Sequence, residues 1–473
     1  MDWTPILVVL ESAWLLAMGA WILLERRTPA ATMAWILGLA FLPVLGIPVY
    51  LVFGPRRFRR KTFRYRKGRG SFPWLKSFAT GPWPLPGGER FQRLASLACR
   101  LGESPPLPAP GLRWFTSGDA CYEALFEALR AARHHIHLEY YILQDDRVGQ
   151  ELSDILRERA AAGVEVRLLA DGIGSSSLGR EFRRRLEDAG VQFAWFNPIT
   201  FARLRPQLFN FRTHRKIAII DGTTAFTGGI NLCAEHSAIS SGAAAWRDTH
   251  LCFEGDAVRW LQLRFLEQWH FAAGQVPEPE AYFPTRDSTA AGPFLQVISS
   301  GPDREEKAIY QFWVAALHAA ERRILLTTPY FVPDEPILQA LHSAVLRGVE
   351  VHLLVPKKGD SWLVTAAARS HYAGLVQKGV RVHEYGPPML HAKTMVIDDD
   401  LVMVGSANLD NRSFRLNFEI MVALYDHEQA RQARAQFTTD LTHAQPYGRL
   451  DVRDTPWPTR LLESAARLFS PML

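Results

Sequence analysis

The chain has 473 residues, 54 Lys or Arg against 48 Asp or Glu, with 48% apolar and 22% charged residues. These are the proportions of an ordinary globular core, with room for two or three domains or one large pseudo-symmetric unit. The run "RRFRRKTFRYRKGR" at 56–69 carries nine positive charges, more than the net excess of six, so the rest of the chain is slightly acidic and a nucleic-acid partner is disfavoured.

In chain order, the first feature is a pair of apolar stretches. Ile6 to Leu24 is interrupted only by Glu11 and small residues, and Met33 to Phe53 carries no charge. Each has about the 20 residues a helix needs to cross the hydrocarbon core. Pro43, Gly46 and Pro48 would kink the second without abolishing it. A signal peptide plus one anchor is the alternative, but the opening "MDWTP" lacks its positive start. A transmembrane hairpin over 1–55 is therefore expected. The basic run after it would lie on the cytoplasmic side, place the following domains in the cytoplasm and meet an anionic membrane surface. Residues 56–110 then read as a basic juxtamembrane segment and a Pro-rich connector ("GPWPLPGG", "ESPPLPAPG").

Beyond the connector the chain repeats itself. "HIHLEYYIL" (135–143) and "ILLTTPYFV" (324–332) are matching strands, each preceded by an amphipathic helix. "AAGVEVRLLAD" (161–171) matches "LRGVEVHLLVP" (346–356), and "LEDAGVQFAW" matches "VQKGVRVHEY". In each a helix ends on glycine and a buried strand follows at once. Alternation of this kind predicts an α/β fold, as two like repeats over 111–295 and 296–473 with both sheet faces covered. The four cysteines (Cys99, Cys121, Cys233, Cys252) show no metal-site spacing and read as reduced core thiols.

Each repeat ends its series on the same phrase. "THRKIAIID" holds His214, Lys216 and Asp221; "LHAKTMVID" holds His391, Lys393 and Asp398. Residues i and i+2 of a strand point the same way, so each His and Lys project together. Two like domains packed face to face would bring both sets to one seam. Two ammonium groups can hold the oxygens of a phosphodiester, one imidazole can attack phosphorus, and the other can protonate the departing alkoxide. No metal is required, because the lysines supply the positive charge. Asp221 and Asp398 complete the motifs and are counted with the catalytic set. Their opposite parity, however, points them to the other face and to a structural role. "GGIN" and "GSAN" follow at equal distances, and Asn231, Ser406 and Asn408 are candidates for phosphate support. Asp248, 34 residues after His214, and Glu419, 28 after His391, would put a carboxylate behind each imidazole.

These residues, with "WRDTH", "PYFVPD", "LHAKTMVIDDDLVMVGSANLDNRSFRLNFE" and the terminal "LFSPML", resemble the phospholipase D superfamily and, within it, the bacterial cardiolipin synthases. The resemblance covers nearly the whole chain and is most specific from Leu390 to Glu419. It implies two pseudo-symmetric phospholipase D-like α/β/α domains sharing one active site, behind an N-terminal membrane hairpin in the bacterial inner membrane. It implies transfer between two phosphatidylglycerols to give cardiolipin and glycerol, with no cofactor, His214 as nucleophile and His391 as general acid. Two positions depart from the pattern: Thr213 stands where Asn often precedes the first His, and Asp248 answers Glu419.

The rivals are hydrolysis by the same residues, use of phosphatidylethanolamine as second substrate, and a membrane-tethered scaffold with a dead site. Oligomeric state and the route of lipid entry are left open. Tyr140, Tyr141, Tyr330 and Phe331 are candidates for an apolar roof over the site, or for core. The final "RLLESAARLF" has amphipathic helical spacing, suited to a membrane surface or to packing on the body.

Overall fold

The structure, a computed structural model, describes residues 14, 16–24, 29–41, 46, 49–50, 82–198, 210–275, 282–284, 291–448, 455–470 and 473. The chain divides into two compact units, Met1–Arg57 with Thr200–Asn210 and Phe58–Ile199 with Phe211–Leu473. In the smaller, residues 16–24 and α1 (Pro29–Phe41) are helical. Ile22, Leu39 and Tyr50 are buried together, while Leu16, Trp21, Leu24 and Phe41 are exposed. Among the described residues no helix is long and apolar enough to cross a membrane. The two expected spans lie partly, and the basic run 56–69 wholly, outside the described residues.

The larger unit holds the duplication. Its first sheet has seven strands: β2 (Arg113–Phe115), β3 (His135–Tyr140), β4 (Glu165–Asp171), β5 (Gln192–Phe196), β6 (Lys216–Ile220), β7 (Thr224–Gly228) and β8 (His250–Glu254). Their spatial order is β2-β8-β7-β6-β3-β4-β5. The second sheet is built from β9 (Phe294–Ser300), β10 (Arg323–Thr327), β12 (Glu350–Pro356), β13 (Arg381–Tyr385), β14 (Thr394–Ile397), β15 (Leu401–Gly405) and β17 (Glu419–Tyr425). These seven run β9-β17-β15-β14-β10-β12-β13, the same order strand for strand. The second sheet is extended at its edges by β1 (Leu107–Pro108) and β18 (Ala444–Tyr447), and β11 (Phe331–Val332) pairs in parallel with β16 (Leu409–Asp410) as a separate two-stranded sheet.

Side-chain alternation explains how the sheets stack. Along β6, Ile217 and Ile219 enter one core while Ala218 and Ile220 enter another. Along β14, Val396 shares the core of Ile217, and Met395 and Ile397 face away. The inner faces of both sheets, with helices Ala257–Ala273 and His427–Leu441, therefore make one common core. Fully burying each such aliphatic side chain is worth about 1.5–3 kcal/mol, so this shared core binds the repeats to one another. Gly163 and Gly348 end matching helices at φ +87° and +86°, and Gly190 and Gly379 do so at +90° and +92°. Those left-handed turns are the expected helix stops.

The segment expected to be a connector also carries structure. Glu89–Arg100 is a helix whose Phe91, Leu94, Ala95 and Ala98 are buried in the outer core of the second repeat. Leu107–Pro108 pairs with β9. Pro and Gly at both flanks mask this short amphipathic pattern in the sequence. Arg90 on that helix reaches Asp398 at 2.5 Å and Asp400 at 2.7 Å.

Asp398 is wholly buried, and Arg90 is the cation bonded to it. Among the described residues, replacement by alanine would leave only backbone donors to the carboxylate. Arg90→Ala is expected to lower unfolding free energy by about 1.5–3 kcal/mol, the worth of a charge-assisted hydrogen bond. Chemical denaturation in detergent, with Arg90→Lys recovering part of the loss, would check it.

Candidate active site

Each histidine motif begins just before its strand, and the backbone there pairs across the seam. Thr213 bridges Phe418 in parallel register, with the His214 N–H donating to the Phe418 carbonyl at 2.9 Å and the Phe418 N–H to Arg212 at 2.8 Å. The second repeat mirrors this: Leu390 bridges Arg247, the His391 N–H donates to the Arg247 carbonyl at 2.7 Å, and the Arg247 N–H to Met389 at 2.9 Å. The next residues, Glu419 and Asp248, then face the histidine of the other repeat. The Glu419 carboxylate lies 3.0 Å from His214 Nδ1, and Asp248 Oδ2 lies 2.6 Å from His391 Nδ1. Each repeat thus orients its neighbour's imidazole, a crossing that spacing along the chain does not show. The other nitrogen, Nε2, is left for chemistry in the tautomer that the carboxylate selects.

The lysines complete the cluster. Lys216 Nζ donates to the His214 carbonyl at 2.7 Å; Lys393 Nζ lies 2.8 Å from His391 Nδ1 and also donates to the His391 carbonyl. All four side chains are buried. Burial first, then the neighbouring Lys393 ammonium, lowers Lys216 to about 7. Burial lowers Lys393 to about 8, against the pull of Asp248 and Glu419. Burial holds His214 down at about 4, with Glu419 opposing and Lys216 adding to the fall. His391 is pushed well below the usual range by burial and by both lysines. Burial thus favours the neutral form of both imidazoles and loosens the protons of both lysines. A bound phosphodiester anion works against these shifts, because it favours every cationic form near it.

The motif aspartates lie elsewhere. Asp221 is at the far end of β6, about 16 Å along the strand from Lys216 at ~3.3 Å per residue. It accepts the backbone N–H groups of Arg133, His134 and His135. Asp398 accepts those of Glu321, Arg322 and Arg323, in addition to Arg90. Both stand in left-handed backbone, φ 53° and 55°. They tie β6 and β14 to the starts of β3 and β10, and their inclusion in the catalytic set is corrected by this geometry.

Hydrogen bonds hold both carboxylates in place. Ser406 Oγ donates to Glu419, and Asn417 donates to its other oxygen at 3.1 Å. Thr249 N–H donates to Asp248 Oδ1 at 2.7 Å. Asn231 accepts from the Ile142 N–H at 3.3 Å and has a buried Nδ2 without a hydrogen-bond partner among the described residues. The side-chain oxygen of Asn408 is likewise unpartnered. A Cβ on Gly229 would stand 2.0 Å from Asp248 Oδ1, so only glycine lets this loop approach so closely. Thr213, the departure from the pattern, donates its hydroxyl to buried Glu139.

The four aromatic candidates divide. Tyr140 and Phe331 are core, whereas the Tyr141 ring stands edge-on to His214 at 4.8 Å and Tyr330 donates to Asp360 at 2.7 Å. Three neighbours were not singled out in the sequence: Trp246 at 5.1 Å from the His391 ring, His236 at 5.5 Å, and Arg247, which ion-pairs with Asp440 of the other repeat at 2.8 Å. Trp246 and Arg247 open the quoted "WRDTH", which was the available signal. His236, Asp248 and His391 bring three ligand atoms within 4.8 Å of one another. Lys393 Nζ, 2.8 Å from His391 Nδ1, stands beside this group.

Two duplicated sheets that meet on one imidazole–lysine seam, each completing the other's histidine, define a phospholipase D-type phosphodiester-transfer fold. The profile described as "Cardiolipin synthase, PLD-like domain" matches residues 125–239 and 313–441, and one for the N-terminal region of phospholipase D and nuclease proteins matches 13–55. The chain is 39% identical over 454 residues to a cardiolipin synthase of Geobacillus sp. (strain WCH70), covering 95% of this chain and 90% of that one. It is 37% identical over 469 residues to a cardiolipin synthase of Geobacillus kaustophilus, covering 98% and 93%. A phosphatidylserine synthase of Haemophilus influenzae superimposes with a TM-score of 0.62 at 15% identity, over 80% of this chain and 100% of that one, a likeness of fold. The chain belongs to the cardiolipin synthase family, phosphatidyltransferases with paired phospholipase D-like domains.

Asp248→Asn and Glu419→Gln would offer Nδ1 an amide that can settle as donor and reverse the tautomer. Each is expected to lower turnover by on the order of 10³–10⁴ with little change in melting temperature. Turnover kept within about tenfold would mean that these carboxylates do not set the tautomer.

Proposed function

We propose that the seam transfers a phosphatidyl group from one phosphatidylglycerol to another by way of a phosphohistidine, with no metal ion. The crossed pairing of each imidazole with the other repeat's carboxylate carries this reading. His214 Nε2 attacks phosphorus while the bond to the headgroup glycerol breaks. His391, charged once the phosphodiester is bound, gives its Nε2 proton to the leaving glycerol oxygen. A second phosphatidylglycerol then enters, its terminal hydroxyl loses a proton to His391, and its oxygen displaces His214 from phosphorus. Cardiolipin is released and both rings return to their first state.

The roles follow from how each carboxylate is engaged. Glu419 shares its charge among His214, Ser406 and Asn417, which leaves less of it for a cation on His214. Asp248 makes its shorter bond to His391 and receives fewer competing donors, which favours a cation on His391 against the opposing charge of Lys393. Lys216 and Lys393 hold the non-bridging oxygens, and Asn231 and Asn408 add uncharged contacts. Burial keeps water from the phosphohistidine, which exchange between two phosphodiesters of similar energy requires. The apolar exterior of the N-terminal unit and the basic run 56–69 suit the bacterial plasma membrane, with the larger unit on its cytoplasmic side and anionic lipid beside it.

Purified chain in phosphatidylglycerol vesicles with excess EDTA is expected to form cardiolipin and glycerol. Phosphatidic acid as the sole product would turn the reading to hydrolysis, and activity restored only by a divalent ion would sink the metal-free mechanism. In the same assay His214→Ala should abolish all products, while His391→Ala should let the phospho-enzyme accumulate at residue 214. An adduct mapped to residue 391 reverses the roles.

The pH dependence follows from the lowered lysines. Above pH 7 to 8 they lose protons in the free enzyme and with them affinity for the anion. His214, held at about 4, stays neutral down to that pH. The profile of kcat/KM is therefore expected to decline as pH rises from 5, because His391 must gain a proton before it can act as acid, and to steepen on the alkaline side about a midpoint between 7 and 8. This midpoint belongs to the lysine pair rather than to either residue. Initial rates in mixed micelles from pH 5 to 9 would check it; an alkaline limb beginning above pH 9 would contradict it.

A further inference from the structure

The C-terminal helix Trp457–Arg467 is almost wholly on the surface of the larger unit. Trp457 is 75% exposed, Leu461 62%, Leu462 52% and, just past its end, Leu468 80% and Phe469 46%. It holds the body by a narrow strip. Ala466 is buried with Val332 and Ala367, Glu463 lies 3.8 Å from Arg369, and Leu473 packs beside Leu363 and Val364. The contacts of 463 with 369 and of 466 with 367 run in opposite chain directions. The end of this helix therefore lies beside the start of helix Trp362–Gln377, where Trp362 is 69% exposed.

A series of neighbours joins that start to the active site. Tyr141 stands against His214, Tyr330 feels Tyr141 and donates to Asp360, and Asp360 acts on the Lys393 ammonium. Trp362 is two residues beyond Asp360. The far end of the chain is tied to the same place: the Arg412 N–H donates to the Leu473 carbonyl at 2.9 Å, and Asn411 Nδ2 donates to Ser470 at 3.1 Å. Both acceptors are reached from the turn that follows Asn408.

We propose that Trp457–Phe469 and Trp362 form a bilayer-docking surface that seats the mouth of the active site on anionic lipid. The proposal rests on the reading of the substrate as a membrane phospholipid. A large apolar face with arginines at its flanks suits the interfacial zone, where Trp and Leu enter the acyl boundary while Arg460 and Arg467 reach the phosphates. The contact would also deliver phosphatidylglycerol to the seam without its chains crossing water.

The full chain carrying Leu462→Cys, labelled with an environment-sensitive fluorophore, would be reconstituted in phosphatidylglycerol-rich vesicles and exposed to lipids with a quencher in the acyl chain. Leu346→Cys is the control: Leu346 is 75% exposed but ends its helix ahead of Glu350–Pro356, at the end of that strand away from Thr327 and Lys393. Several-fold stronger quenching at 462 than at 346 is expected. Equal quenching at the two positions, or 462–462 disulfides between copies in place of quenching, would overturn the proposal. The measurement needs no turnover, so a chain that hydrolysed lipid would still dock, and failure to dock would leave the chemistry standing. Leu461→Glu with Leu462→Glu should lower conversion of bilayer phosphatidylglycerol at least tenfold relative to dispersed short-chain phosphatidylglycerol. An equal loss on both would assign the helix to support of the fold.

Discussion

Everything in the catalytic unit depends on an exchange of carboxylates between two like halves. A buried imidazole flanked by two ammonium groups is an unfavourable arrangement, and the residue that makes it tenable comes from the other repeat. Short parallel bridges at Thr213–Phe418 and Leu390–Arg247 fix this exchange in the backbone, so the side chains inherit their aim. The shared inner core and the Arg247–Asp440 ion pair supply the adhesion that keeps the bridges in register. Neither half holds a finished histidine without its counterpart. The duplication is a working requirement of the site as well as a trace of how the chain is built.

The electrostatics of the seam follow from that exchange. Two carboxylates and two lysines roughly cancel, and burial removes the water that would otherwise settle their protons. Asp410, raised to about 6 chiefly by burial, and Asp360 add further negative charge near Lys393. Charge brought into such a site is poorly screened and acts strongly on all four groups. Hydrogen bonds from Ser406, Asn417 and Thr249 hold the carboxylates still while this happens, so reorganisation during reaction is small.

A lipid-transferring enzyme has a second problem, which is where its mouth points. Neighbouring contacts run from His214 through Tyr141 and Tyr330 to Asp360, two residues before exposed Trp362. The chain's last residue is hydrogen-bonded to the loop after Asn408. The terminal segment is thus tied by direct hydrogen bonds to residues three and four positions past Asn408.

Much of the fold was legible along the chain, because its signals are local. Gly163 with Gly348 and Gly190 with Gly379 mark helix stops that need positive φ, and strand alternation places Ile217 and Ala218 on opposite faces. Parity alone pointed Asp221 and Asp398 away from the chemistry. The helix Glu89–Arg100 was hidden between Pro- and Gly-rich flanks, since its stripe is only four residues and its partners lie some 200 residues away. The residue types of the site were likewise set by the sequence, namely two His-x-Lys pairs, two small-residue turns and two acids. Which acid serves which histidine was decided by tertiary structure alone. Those contacts join positions 205 and 143 residues apart, and they depend on how two sheets pack face to face, a relation no local pattern encodes.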